Sequence, residues 1–307
     1  MTETEFMQEA EPLRRELLGH CYRLSGSVQD AEDLVQETML RAWRSYDAFR
    51  GDATVRTWLY RIATNAFLSG RRRRRHLPSD LGPPAADISL DTIAAPDAAW
   101  VDPLPDGLIA SADTDPATRT VQRDQLRLAL VASLQRLPPR QRGALLLREA
   151  LDWSAAEIGD ALDLSAPAVK SLLQRARATL AGIEEPAADA GRAPDDATAD
   201  MLLETYMRAF ETSDVRLLER ILTADAMLEM TPTRTWFAGR ATCLPYLATV
   251  TGVAGEWTMR ATSANGQRAA LAHRHGEPFG VAVLGLRADG LARISLFTEP
   301  AAVRRFL

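Results

Sequence analysis

Apolar positions recur at intervals of three and four through most of residues 1–76, and again from Val121 to about Ala181, so both stretches are predicted to be helical. From residue 198 the rhythm changes. Helical periodicity near Ala199–Glu211 and Val215–Leu222 gives way to runs such as AMLEM, EWTMRAT, AALAHRH, FGVAVLGLR and LARISLF, which read as strands. Two intervening segments lack periodicity and read as linkers. The predicted fold is multidomain: an all-α domain over 1–76, an acidic Pro-rich linker over 77–120, a second all-α domain over 121–182, a linker over 183–197, and an α+β domain over 198–307.

Within the first helical domain, Val35, Met39, Ala42, Trp43 and Tyr46 fall on one stripe, which predicts core. The opposite stripe carries Asp33, Gln36, Glu37, Leu40 and Arg44, an apolar residue among acids and amides. Taken alone, that is a solvated face with one stray leucine. The next helix is expected to bury Trp58, Leu59, Ile62, Ala63 and Ala66, leaving Arg61, Asn65, Ser69 and Arg72 on the other face and running into the arginines at 71–75. Arginines interleaved with an amide suit phosphate contacts plus hydrogen bonds to exposed base edges. A basic, solvated helix end is the bland alternative.

The second helical domain carries helix-turn-helix punctuation. Ser154 and Glu157 make an S-x-x-E capping box, Asp163 sits where a left-handed turn residue is needed, Ser165 caps the next helix, and Pro167 lies in its first turn. Val169, Leu172 or Leu173, Ala176 and Leu180 form the core stripe of that last helix, with Lys170, Ser171, Gln174 and Arg175 outside. An αα-hairpin with no role on DNA is the alternative.

Charge sharpens this division. Residues 48–76 hold eight basic side chains against one acidic, whereas residues 77–120 hold one against eight, in a chain of net charge -5. The longest apolar runs are far shorter than the roughly 20 residues of a membrane helix, and the acidic N-terminus has no apolar signal region, so a cytoplasmic protein without membrane contact is expected. Cys21 and Cys243 are isolated, which predicts neither a disulfide framework nor a metal site, and no cofactor is expected. Lys170 is the one lysine among 36 basic residues, so guanidinium forks suited to phosphate dominate.

The run GHCYRLSGSVQDAEDLVQETMLRAWRSYDAFRGDATVRTWLYRIATNAFLSGRRRR closely resembles region 2 of bacterial extracytoplasmic-function sigma factors, and LPPRQRGALLLRE, WSAAEIGDAL and SAPAVKSLLQRARATL resemble region 4 of the same family. The resemblance implies core RNA polymerase and promoter DNA as partners. It makes Asp33, Gln36, Glu37, Leu40 and Arg44 contacts to core polymerase, which gives Leu40 an apolar partner. Arg61, Asn65, Ser69, Arg71 and Arg72 would hold the non-template strand of the minus-ten element, where unstacking a base is offset by new contacts. Lys170, Ser171, Gln174 and Arg175 would face the minus-thirty-five major groove, with Arg140 and Arg142 on phosphates. Many relatives have Gly at the position of Asp163 and Arg at that of Leu172, so no promoter sequence is inferred. The linker, with Trp100, Leu104, Leu108 and Ile109 in acidic surroundings, is either a tether or an extended segment that threads the polymerase.

Residues 198–307 resemble SnoaL-like domains, which belong to the nuclear-transport-factor-like fold, a curved sheet wrapped by helices around a cone-shaped pocket. The resemblance rests on LLETYMRAFETSDVRLLERILTADAMLEM, the Trp236–Arg240 stretch and ISLFTEPAAVRRF. Relatives in that fold include isomerases with a pocket base, which makes Glu229, Trp236 and His273, with His275 beside it, the candidate pocket residues, and a small molecule a candidate ligand. The expected function is a sigma factor, with no chemistry of its own, whose C-terminal domain regulates it. The competing readings are a DNA-binding regulator independent of polymerase, and a SnoaL-type enzyme or ligand sensor fused to a DNA-binding module.

Overall fold

In the computed structural model, residues 3–46, 49, 53–70, 73–87, 95, 97–109, 124–183 and 191–307 are described. They divide into two compact units, one formed by Met1–Arg75, Gly107–Arg119 and Leu130–Glu184, the other by His76–Asp106, Thr120–Ala129 and Glu185–Leu307.

The first unit is helical throughout. Helix α1 (Glu3–Ala10) leads into α2 (Arg14–Ser25), which Gly26 closes at φ 69° by donating its N–H to Tyr22 O. Ser27 then caps α3 (Val28–Ser45) by accepting the Asp30 N–H. Val35, Met39, Ala42 and Tyr46 are buried as the stripe predicted, but Trp43 is 39% exposed and meets the Phe6 ring at 5.8 Å at the rim. Thr54 caps α4 (Val55–Ser69), and its Leu59, Ala63 and Ala66 are buried. The helix stops at Ser69 because Gly70 is extended, so Arg73 and Arg74 are exposed coil rather than further helical turns.

Beyond the linker come α5 (Leu128–Gln135), α6 (Pro139–Leu151), α7 (Ala155–Leu162) and α8 (Ala166–Ala181). The capping box at Ser154 and Glu157 forms in both directions. Asp163 takes φ 55° and turns the chain, while Gly159 is obligatory, since a Cβ there would sit 2.4 Å from Leu164 O. Ser165 caps α8, and Val169, Leu173 and Ala176 face the core.

The second unit holds a sheet of β1 (Leu222–Thr231), β2 (Trp236–Ala238), β3 (Trp257–Ala264), β4 (Gln267–Arg274), β5 (Glu277–Arg287) and β6 (Gly290–Phe297), in the order β2-β1-β6-β5-β4-β3. Only β1 and β6 pair parallel among these neighbours. Helices α9 (Asp196–Glu211), α10 (Val215–Ile221) and α11 (Arg240–Val250) share a core with one face: Tyr206, Phe210, Leu218 and Leu247 pack with Leu228, Ala270, Ala272, Leu284 and Ile294. A short helix, α12 (Pro300–Val303), follows β6 and runs into a 3-10 turn at Arg304–Phe306. Alternation sends Met227, Glu229, Leu271, His273, Arg293 and Ser295 to the opposite face.

Part of the predicted linker packs with this unit. Among the described residues, 77–87, 95 and 97–106 belong to it, with Trp100, Val101 and Leu104 buried. The β3–β4 hairpin turns at Asn265 and Gly266, both with positive φ, the pair that a two-residue turn of this hand favours. Asn265 is fully buried and holds the chain in the linker and just beyond it: its Oδ1 accepts Leu104 N–H at 2.9 Å and its Nδ2 donates to Leu126 O at 2.8 Å. Its own N–H donates to Leu104 O, Gly266 N–H donates to Asp106 Oδ1, and Gln267 Oε1 accepts Leu128 N–H.

Candidate nucleic-acid interface

Side chains predicted on the outer stripe of α3 converge. Asp33, Gln36, Glu37, Leu40 and Arg44, together with Arg41, line one open groove of about 420 Å³. Leu40 is 49% exposed in the middle of it, and Arg41 donates to Glu37 at 2.5 Å along its wall. An apolar floor with charged edges is the anatomy of a protein-docking patch rather than of an ion site. The core beneath is rigid: Glu16 Oε1 accepts from Arg56 Nε and from Tyr60 Oη, each at 2.7 Å, so α2 and α4 are cross-braced. His20, buried against the Tyr60 ring and bonded to Thr64, is pushed well below the ordinary histidine range by burial first and then by Arg23 and Arg56. It is neutral and structural.

On α4, Arg61 is exposed and donates to Asp160 O at 3.2 Å, while half-buried Asn65 donates to Ala161 O at 2.9 Å. Ser69 turns back to Ala66 O at 3.0 Å. Arg71 and Arg72 lie outside the described residues. Further along the run, Arg75 pairs with Asp30 at 2.9 Å, so at least one arginine of the five is structural.

Lys170, Ser171, Gln174 and Arg175 are all exposed along α8, on the side away from Val169, Leu173 and Ala176. A helix presenting one lysine, one arginine, an amide and a hydroxyl on a single face has the donor set that reads base edges and phosphates. Arg140 is exposed, as a phosphate contact requires.

Arg142 departs from the expected phosphate role. It is 5% exposed and donates to Leu24 O, Gln135 Oε1, Gln135 O and Leu137 O. Those acceptors are neutral, so burial holds its pKa down to about 10, with the positive Arg74 adding to the effect. Gln135 and Leu137 are near it in sequence, whereas Leu24 lies in the first helical domain, and that distant partner has no signal in the sequence.

The three candidate pocket residues Glu229, Trp236 and His273 lie on the sheet face away from the helices. Glu229 is 1% exposed on the sheet face away from the helices, where it accepts from Arg293 Nη1 at 2.9 Å, Ser295 Oγ at 2.6 Å and Ser79 Oγ at 3.0 Å. Three donors thus converge on this carboxylate, one of them from the linker. Trp236 stands on the same side and donates through Nε1 to Gly82 O at 2.9 Å, while its carbonyl accepts Ala85 N–H. His273 is half-buried on that face too, and exposed His275 lies 3.4 Å from Glu256 in the β4–β5 turn. The helix-lined interior is filled by aromatic and aliphatic side chains such as Tyr206, Phe210 and Trp257.

Among the described residues no cluster of three or more His, Cys, Asp or Glu is arranged to hold a metal ion, and no helix is long and apolar enough to cross a membrane.

Residues 10–77 match the family described as Sigma-70 region 2, and residues 127–180 match that described as Sigma-70, region 4. With the groove on α3, the polar face of α4 and the helix-turn-helix of α7 and α8, these matches define a sigma-70-type initiation protein. The ECF RNA polymerase sigma factor SigG of Mycobacterium tuberculosis is 44% identical over 310 aligned residues, covering 98% of this chain and 83% of that protein. SigJ of the same organism is 31% identical over 220 residues, covering 71% of this chain and 62% of that protein. Its crystal structure shares the fold across the length of both, with a TM-score of 0.60 at 22% identity and coverage of 97% of this chain and 98% of that one. The chain belongs to the extracytoplasmic-function sigma factors and acts in transcription initiation.

Proposed function

We propose that this sigma factor, acting in the cytoplasm, docks on core RNA polymerase through the α3 groove of Asp33, Gln36, Glu37, Leu40 and Arg44. It holds the minus-ten strand with Arg61, Asn65, Ser69 and the first arginines of the run, and reads the minus-thirty-five element with Lys170, Ser171, Gln174 and Arg175. Its C-terminal α+β domain regulates these steps by holding the linker that must extend when the two promoter elements are engaged together. It performs no catalysis.

The observation that carries the regulatory part is the grip of Asn265 on Leu104 in the linker and on Leu126 just beyond its end, on either side of residues 107–125. Ser79 on Glu229 and Gly82 on Trp236 extend the hold toward the start of the linker. A linker bonded in this way is unavailable for any other path.

Run-off transcription with core polymerase tests the reading, comparing the parent with a chain truncated after Gly182. The expected result is retained polymerase association with an altered transcript yield. Unchanged yield from the truncated chain would remove the regulatory role, and absence of polymerase association by the parent would remove the docking role.

A further inference from the structure

Trp43, three positions after Leu40 on α3, is a second large apolar side chain left in water, 39% exposed where Leu40 is 49%. One exposed leucine on a surface means little, but two large apolar groups one turn apart form a continuous patch. At about 100° per residue, Trp43 lies about 60° around the helix from Leu40 and about 20° from Gln36, seven positions earlier. It therefore flanks the groove on its Gln36 side, between the groove and the buried stripe of Val35, Met39 and Tyr46.

The indole is supported from its other side. Helix α1 buries Phe6 and Ala10, four positions apart on one stripe, at 2% and 0% exposure. The Phe6 ring meets Trp43 at 5.8 Å and meets the buried Tyr46 edge-on at 5.1 Å. Eight residues are too few for a helix to hold alone in water, so α1 depends on this packing for its place. The result is a short helix that props an exposed aromatic ring beside the groove.

We propose that Trp43 is a second apolar anchor for core RNA polymerase, continuing the docking surface of α3 past Leu40, and that Phe6 of α1 is the positioning residue that holds its indole there. The inference rests on the reading of the α3 groove given above. Tryptophan suits the role because it offers a large, rigid contact area, and it is among the residues most enriched at the energetic centres of interfaces. The partner surface is apolar over Leu40 and Trp43 with a basic rim, since Asp33 and Glu37 line the groove and residues 1–47 hold ten acidic side chains against five basic.

Hydroxyl-radical footprinting with mass spectrometry reads the contact on the unaltered full chain, because indole rings oxidise readily. Oxidation of Trp43 is expected to fall at least threefold when core polymerase is added, and a smaller fall overturns the proposal. Leu40 in the same samples separates the two levels of the argument. If Leu40 is protected and Trp43 is not, the second anchor alone fails; if neither is protected, the groove reading fails with it. Protection of Trp43 that develops on concentrating the chain without polymerase would assign the face to a second copy, and that too overturns the proposal.

Core-polymerase affinities test the part played by Phe6. Trp43→Ala and Phe6→Ala should each weaken binding at least threefold, yet Phe6→Ala added to Trp43→Ala should cost less than a further twofold, because Phe6 acts through the indole. Equal losses from Phe6→Ala in the two backgrounds would refute the positioning role. Should Phe6→Ala lose its cooperative unfolding, Trp43→Tyr takes its place: a smaller ring on the same support should restore most of the affinity that Trp43→Ala loses, and no recovery would count against the anchor.

Discussion

Asn265→Gly isolates the hold of the C-terminal domain on the linker. Glycine preserves the positive φ that the β3–β4 turn requires, so the hairpin and the Asn265 N–H to Leu104 O bond persist, and only the carboxamide is lost. Its hydrogen bonds to Leu104 and Leu126 go with it, and the Leu104 N–H and Leu126 C=O are left in a site where Leu104 is fully buried and Leu126 is 6% exposed. Each stranded group costs about 1–3 kcal/mol, and water entering the vacated space recovers part of that, so about 2–4 kcal/mol is expected. At about 1.4 kcal/mol per decade, this is a roughly 30- to 700-fold shift in the equilibrium between held and released linker. Hydrogen exchange reads the shift directly. Protection of amides in 99–106 and 126–128 should fall by that factor, while amides of β5 and β6 stay within a few fold of the parent. Linker protection within threefold of the parent would refute the reasoning, and so would an equal loss in β5 and β6, which would mean that the domain rather than the linker had loosened.

Leu40→Asp places a charge at the centre of the α3 groove, where the parent residue is half-exposed; core polymerase affinity should drop at least tenfold with thermal stability unchanged, as read by co-elution and by scanning calorimetry. Arg71→Glu with Arg72→Glu should impair promoter opening, followed by permanganate footprinting, far more than polymerase association; equal loss of both would contradict the minus-ten assignment. Glu229→Gln removes the buried negative charge that receives Arg293 Nη1 and should destabilise the C-terminal domain by about 1–3 kcal/mol, measured as a lower urea midpoint for that domain's transition. Asp225 receives both terminal nitrogens of Arg287 at 2.8 Å, which holds its pKa at about 2, below the usual 3.9 or so of an unfolded aspartate. A depressed carboxylate stabilises the fold above the unfolded pKa and loses that contribution as pH falls through the folded one. The stability gap between the parent and Asp225→Asn should therefore shrink between about pH 4 and pH 2, and it should be small throughout, since the pair is partly solvated; a pH-independent gap would show that the pair contributes nothing.

What was legible in the chain was local. The capping box at Ser154, the left-handed Asp163 and the strand runs depend on spacing and on single-residue conformational preference, and each stands where its neighbours in sequence put it. Features that depend on distant partners were not legible. Trp43 has core spacing yet lies at the edge of the stripe, and periodicity gives the direction of a face without its width. Arg142 sits in a stretch that resembles a phosphate-binding turn, and its burial is decided by carbonyls at Leu24, Gln135 and Leu137. Glu229 illustrates the same limit for strands. Alternation assigns it to the face opposite Leu228 and Met230, but which face the helices take, and that the second face is covered as well, follows from where the linker runs.

The composition of that linker suits a segment with two resting places. Trp100, Val101 and Leu104 are its buried anchors, and burying each is worth at most about 1.5–3 kcal/mol. Pro103 and Pro105 restrict the backbone around Leu104 to extended conformations whether or not the domain holds it, so release regains little chain entropy. The one basic and eight acidic side chains of 77–120 keep the released segment solvated and extended. Under the regulation proposed above, transfer between the domain and core polymerase is an exchange of contacts on a nearly preformed strand. Its balance is set by a few anchors, Asn265 and Leu104 first among them, and a shift from 1:99 to 99:1 needs about 5.5 kcal/mol of differential binding. Loss of the Asn265 carboxamide alone supplies a large part of that difference, which is why a single side chain at a hairpin turn can be decisive for a segment of this length.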